Sequence, residues 1–238
     1  MPVLKEDVEK SAAIAEWTEH DLSEIVRDTS AIAARFGFCS ALISFVAAAG
    51  YSVVQALQVF GIVRWPFDAI GIYGFSLLIA SPFMLAILAL CRCTPDKKKI
   101  WSQAALLFAV MYTTYVTLMY TIQLATGVPL ALHGNANPLF AVQRYSLFWS
   151  LDALGYVCMG LSTLFAVPVF ARRGFENWVR WFFLANGLFT AVIGLVYWYP
   201  VFSTKLLLLA SPWIITGPGS ILLLAIYFRR RATSNWST

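Results

Sequence analysis

Residues 69–99 read AIGIYGFSLLIASPFMLAILALCRCTPDKKK. The first 23 positions, Ala69 to Cys91, carry no charge, and four of the next eight are basic: Arg92, Lys97, Lys98 and Lys99. An α-helix rises about 1.5 Å per residue, so about 20 apolar residues cross the ~30 Å of hydrocarbon in a bilayer. An uncharged run of this length that empties into a basic loop reads as a membrane helix leaving the lipid on its cytoplasmic side.

Five similar runs surround it, giving six in all: about 36–62, 69–91, 101–126, 146–170, 178–199 and 205–228. Turn and charge signals separate them at Arg64-Trp65-Pro66, Thr94 to Lys99, Gly134 to Pro138, Arg172-Arg173-Gly174 and Pro200 to Lys205. Composition agrees. The 238 residues are 60% hydrophobic and 12% charged, with a mean hydropathy of +0.72. Soluble domains carry about 25% charged residues, so lipid must solvate much of this chain. The fold class is therefore all-α, a bundle of six membrane helices.

Basic residues set an orientation. The N-terminal region holds Lys5, Lys10, Arg27 and Arg35; the second loop Arg92 and Lys97 to Lys99; the fourth Arg172, Arg173 and Arg180; the C-terminus Arg229 to Arg231. The first, third and fifth connections hold one each: Arg64, Arg144 and Lys205. That is 14 against 3, alternating with every crossing, which places both termini in the cytoplasm of a cell whose inner (plasma) membrane holds the protein. Trp65, Trp149, Tyr197, Trp198 and Tyr199 fall near the outer interface, and Trp101, Trp178 and Trp181 near the inner one. The net charge of +5 follows from this loop asymmetry, and no basic run is interleaved with aromatics as on a nucleic-acid-binding module.

Three regions result: an acidic cytoplasmic segment over 1–35, the membrane domain over 36–228, and a basic tail over 229–238. Eight of the twelve acids lie in residues 1–33: Glu6, Asp7, Glu9, Glu16, Glu19, Asp21, Glu24 and Asp28. Residues 12–33 predict an amphipathic helix with Ile14, Trp17, Ile25 and Ile32 on a ragged stripe. Its acids are repelled by anionic lipid, which leaves packing on the bundle or docking of a protein partner as its roles. No basic n-region precedes an apolar stretch, so a cleaved signal peptide is not expected.

Cys39, Cys91, Cys93 and Cys158 lie in or beside apolar runs and predict reduced thiols, not a disulfide framework or a zinc site. With His20 and His133 the sole histidines, a bis-histidine haem inside the membrane is excluded. No zinc-protease, nucleophile-elbow or phosphate-loop motif is present, and no paired intramembrane acids occur. No cofactor is expected.

Asp152 stands out, because no other acid lies so far inside a run. An ionised carboxylate at the bilayer centre costs at least ~2.5–3.5 kcal/mol, so it must face protein or water, find a partner or be protonated. Arg144 lies two turns toward the outer face, near enough to approach but not plainly to reach. Tyr156 follows one turn inward. Gln55 and Gln58 of the first run, Tyr120 and Gln123 of the third and Tyr197 of the fifth share its outer-half depth, with Tyr112 and Tyr115 nearer the midplane. Facing inward, they would line an outward-opening pocket for a cation, proton or small ligand. The plainer alternative is interhelical hydrogen bonding, at roughly 0.6 kcal/mol per bond. Asp68 is expected to cap the second span. Thr113, Thr117 and Thr121 form an i, i+4, i+8 ridge suited to close helix contact. Asn186-Gly187 predicts a close contact as well, and Gly217-Pro218-Gly219 a contact and a break. The third connection, 127–145, is expected to fold over the outer mouth as a loop.

At Lys99-Ile100-Trp101-Ser102, Asp152-Ala153-Leu154-Gly155-Tyr156, Leu161 to Ala166 and Gly174-Phe175-Glu176 the chain resembles uncharacterised six-span bacterial membrane proteins. The resemblance implies the six-span fold and carries no functional residues. Binding or passage of a small ligand at Asp152 is the reading the residues favour. A structural or regulatory subunit docking partners through residues 1–33, and a membrane enzyme acting on lipid with His133 as a second polar group, are the alternatives. Self-association also stays open.

Overall fold

The computed structural model describes residues 19–143, 146–199, 209 and 211–234, with side chains from residue 29 to 233 within those ranges. Among the described residues all regular structure is helical and no strand occurs. The main helices are α1 (Glu19–Val59), α2 (Phe67–Cys93), α3 (Lys99–Ile122), α4 (Leu147–Ala166), α5 (Gly174–Trp198) and α6 (Trp213–Ser234). Five segments are long and apolar enough to cross a membrane: Thr29–Val59, Phe67–Cys93, Asp96–Leu132, Leu147–Val169 and Gly174–Trp198. The sixth apolar run begins at residues that lie mostly outside the described ones. Its described part, α6, carries Arg229 to Arg231 near its end at Ser234.

The helices form a closed ring, with α1 against α2, α2 against α3, and so on to α6, which closes on α1. One end, the basic end, gathers the α2–α3 and α4–α5 connections and the end of α6. Lys98 Nζ donates to the Val169 carbonyl at 2.9 Å and ties two of these connections together. The opposite end gathers the ends of α1, α3 and α5.

Residues 19–36 contain neither Gly nor Pro, and nothing stops the helix before the first span. The acidic segment from Glu19 onward is therefore the start of the 41-residue α1, where a separate helix over 12–33 was expected; residues 1–18 lie outside the described ones. At the other end of α3, helix continues past Ile122 through a wide turn over Gln123–Gly127 and a last turn over Val128–Leu132. The expected loop from 127 thus starts only at His133. Pro129 has no N–H to give the carbonyl one turn back, and the wider turn accommodates that missing bond. Gly127 makes room for the Gln123 side chain, whose Oε1 would lie 2.6 Å from any Cβ there.

Small residues set the closest crossings. At α4–α5, a Cβ on Gly160 would collide with Thr190, and one on Gly187 with Leu164. Asn186 Nδ2 donates to Thr163 Oγ1 at 3.2 Å in the same seam. The close contact expected at Asn186-Gly187 is present. The break expected at Gly217-Pro218-Gly219 is not, since α6 runs through Pro218 unbroken. Pro218 stands in the second turn of α6, where its missing N–H forfeits one helical bond, and Gly219 seats Phe182 of α5. Pro82 is likewise inside α2. Carbonyls just before it accept from flanking helices: Ser44 Oγ donates to Ile79 at 3.1 Å and Thr113 Oγ1 to Ala80 at 3.0 Å. Thr117 and Thr121 of the expected ridge are exposed. All four cysteines are free thiols.

Candidate functional site

Asp152 is the sixth residue of α4, about 8 Å of helix from its start at the opposite end. Its Oδ1 accepts from the Tyr120 hydroxyl at 2.7 Å and its Oδ2 from the Tyr197 hydroxyl at 2.9 Å. Three helices thus meet on one carboxyl group. Hydrogen bonds to a charged acceptor contribute roughly twice what neutral ones do. Among the described residues no Lys or Arg pairs with Asp152; Arg144 lies outside them.

Stacking holds the two phenols. Tyr73 of α2 lies on Tyr120 with ring centroids 5.3 Å apart. Trp149 lies on Tyr197 at 4.2 Å, and its indole N–H donates to the Tyr197 carbonyl at 3.0 Å. One turn toward the basic end, the Tyr156 hydroxyl meets that of Tyr51 of α1 at 3.1 Å. Trp213 of α6 sets its ring edgewise against both, at 5.2 Å from Tyr156 and 5.7 Å from Tyr51. Every helix of the ring therefore contributes to one polar cluster.

A cavity of about 20 Å³ lies inside it, lined by polar Tyr51, Ser76, Tyr112, Tyr120, Asp152 and Tyr156 and by apolar Ile79, Val116, Met159 and Trp213. A water molecule needs roughly 10–15 Å³ measured this way, so the space suits one water or one small ion and nothing larger. The Tyr112 hydroxyl is informative. Its side chain is only 6% exposed, it lines the cavity, and it forms no hydrogen bond with a described residue. Among the lining residues, the fully buried polar atom without a partner is Trp213 Nε1. Below Tyr112, Phe83 packs edge-on at 5.6 Å and is fully buried, so an apolar plug closes the cavity toward the basic end.

Of the residues singled out from the sequence, Asp152, Tyr112, Tyr120 and Tyr156 line the cavity, and Tyr197 reaches it through Asp152. Gln55 is half-buried, one turn from Tyr51 on α1, and does not line the cavity. Three others stand elsewhere. Gln58 is exposed and donates to Asp68 Oδ2 at 2.9 Å. Gln123 is buried but donates to the Phe140 carbonyl at 2.9 Å and fastens the α3–α4 loop. Tyr115 packs on the core without lining the cavity. Gln58 and Gln123 lie on the same helix faces as Tyr51 and Tyr120 but seven and three residues further toward the opposite end, beyond the cavity, whereas Tyr115 is turned about 140° from Tyr120 around α3. Asp68 sits in the first turn of α2, where its Oδ1 accepts from the Ala69 N–H at 2.8 Å; Pro66 holds the cap position, so Asp68 favours the helix dipole without capping it. His133 is exposed, bonded to the Pro129 carbonyl at 2.7 Å, and does not line the cavity.

Sequence reasoning missed Tyr51, Ser76 and Trp213. Tyr51 was within reach, since it precedes Gln55 by one turn on the same ridge. Trp213, directly after Ser211-Pro212, gave no signal of facing inward.

No family pattern matches this chain, and no similar curated protein or solved structure was found.

The donor set defines the chemistry. It offers one carboxylate and several phenolic oxygens, all hard ligands. No group of three or more His, Cys, Asp or Glu able to hold a metal occurs among the described residues. Divalent-ion sites gather several carboxylates or carbonyls. A single carboxylate balances a single positive charge.

Proposed function

We propose that this protein crosses the membrane six times, with both termini on the cytoplasmic side, and binds one small monovalent cation, a proton included, at Asp152. The observation that carries the reading is the combination of an acid with no basic partner among the described residues and a one-water-sized cavity lined by hydroxyls between the helices. Tyr112, which lines this space, forms no hydrogen bond with a described residue and so has an oxygen to offer. The basic count of 14 against 3 supports the orientation. It also sets the site in the half of the membrane away from the cytoplasm. The plug below Tyr112 supports binding in preference to open passage.

Trp213 and Trp149 flank the site and provide the readout. Full-length protein in lipid nanodiscs is titrated with Na⁺, K⁺ and Li⁺ at constant ionic strength, and separately with acid, following tryptophan emission. A saturable response to at least one of these is expected in the native protein and is expected to vanish in Asp152→Asn. An unchanged response in that variant, or no response to any of them, would remove the proposal.

A further inference from the structure

A second recess, unconnected with Asp152, opens at the basic end between the start of α5 and the end of α6. Its volume is about 620 Å³, and it is lined by Ala171, Arg173, Phe175, Glu176, Tyr227, Arg230 and Arg231. Among the described lining residues, three guanidinium groups stand beside one carboxylate. Two of the three are held in place. Arg230 lies 4.1 Å above the centroid of the Phe175 ring, a cation–π contact that engages its face and leaves its N–H edge available. The Arg231 Nη1 donates to the Tyr227 hydroxyl at 2.6 Å. Glu176, the one acid, is engaged by the Ala171 N–H, which donates to its Oε2 at 2.6 Å.

The recess also borders the N-terminus of the 25-residue α5. Gly174 turns the chain there at a φ of 58°, and Arg173 gives the helix no side-chain cap. The first N–H groups of α5 therefore add to the positive field of the arginines. Planar guanidinium forks match a phosphate group in shape as well as charge. The surroundings select its source. Trp178 and Trp181, one and two turns along α5, are 64% and 58% exposed, as residues at a lipid–water boundary are. The basic end is the one that loop charges assign to the anionic inner leaflet.

We propose that this recess binds the phosphate of an anionic phospholipid headgroup, with Arg173 and Arg230 as its principal contacts and the acyl chains lying along Trp178 and Trp181.

The test uses full-length protein in detergent micelles with added dioleoyl phosphatidylglycerol or dioleoyl phosphatidylcholine, and native mass spectrometry to count retained lipid. Phosphatidylglycerol is expected to be retained over phosphatidylcholine. Arg173→Gln/Arg230→Gln is expected to lose retention about tenfold, while Arg92→Gln, an exposed charge at the same end outside the recess, keeps it. Equal loss in Arg92→Gln would reduce the effect to general surface charge and overturn the proposal. Undiminished retention in the double variant would overturn it as well. Displacement of the lipid by low-millimolar inorganic phosphate would assign the recess to a free anion and not to lipid. The Asp152 titration is read on the same samples, and its outcome bears on that site alone.

Discussion

The two halves of the helix ring are filled by opposite chemistry. Toward the opposite end, Asp152 and five tyrosines meet around a one-water cavity. Toward the basic end, Phe83, Ile87, Leu90, Phe170, Phe183, Leu224 and Phe228 are completely or almost completely buried, with Phe170 edge-on to both Phe183 and Tyr227. Lipid tails are as apolar as leucine, so burying an aromatic ring among helices gains dispersion contacts more than it escapes water. A carboxylate gains much more from leaving lipid for a polar interior. The apolar half therefore serves to hold the helices at fixed positions, and the polar half exploits those positions. Stability should depend on the first and ligand binding on the second.

The largest effect is expected at the α4–α5 seam. Gly160→Leu drives a side chain into Thr190 and the Gly187 backbone and should abolish recovery of monodisperse protein by size-exclusion chromatography. Gly160→Ala should be partly rescued by Thr190→Ala, because Thr190 is the nearest obstruction. Next, Phe183→Ala leaves a void in the apolar half and should lower unfolding stability by about 3 kcal/mol, measured by denaturation in mixed micelles, while the cation midpoint stays put. If the midpoint moved with the stability, the two halves would not be separable.

In the polar half the signs reverse. Asp152→Asn should eliminate the cation response yet alter stability by no more than about 1 kcal/mol, because removing a buried charge offsets the loss of its bonds. Tyr120→Phe deletes one donor to the carboxylate and should shift the cation midpoint roughly tenfold, near the lower end of the about 1.5–3 kcal/mol that a hydrogen bond to a charged group contributes. Lowering the pH should raise the midpoint for any metal cation, since protons compete for the same carboxylate. The smallest effect belongs to Asn186→Leu. It breaks one interhelical bond, to Thr163, for about 0.6 kcal/mol, and should leave the titration unchanged.

Length, charge and hydropathy made the helices legible, because a membrane run must be long and uncharged whatever surrounds it. Asp152 was legible for the same reason: an acid in lipid is costly and so conspicuous. Its partners were legible only in part. Tyr120 and Tyr156 could be placed by depth and helical phase relative to Asp152, but the rotation of one helix against another is set by contacts such as Gly160 on Gly187, which no local pattern states. Gln58 and Gln123 fail for another reason: each lies on the right face but beyond the cavity toward the opposite end, where local partners, Asp68 and Phe140, take them. The length of α1 was hidden for a different reason: acidic residues mark where a chain leaves lipid, not where its helix stops.

The central claim is that Asp152 takes up a single monovalent cation or proton. Infrared difference spectroscopy of the reconstituted protein, recorded before and after the cation identified by titration or after acidification, reads its carboxyl group directly. A carboxyl-region band that saturates at one equivalent per chain and is absent in Asp152→Asn is the predicted result. A spectrum without that band, or the same band in the variant, would contradict the account.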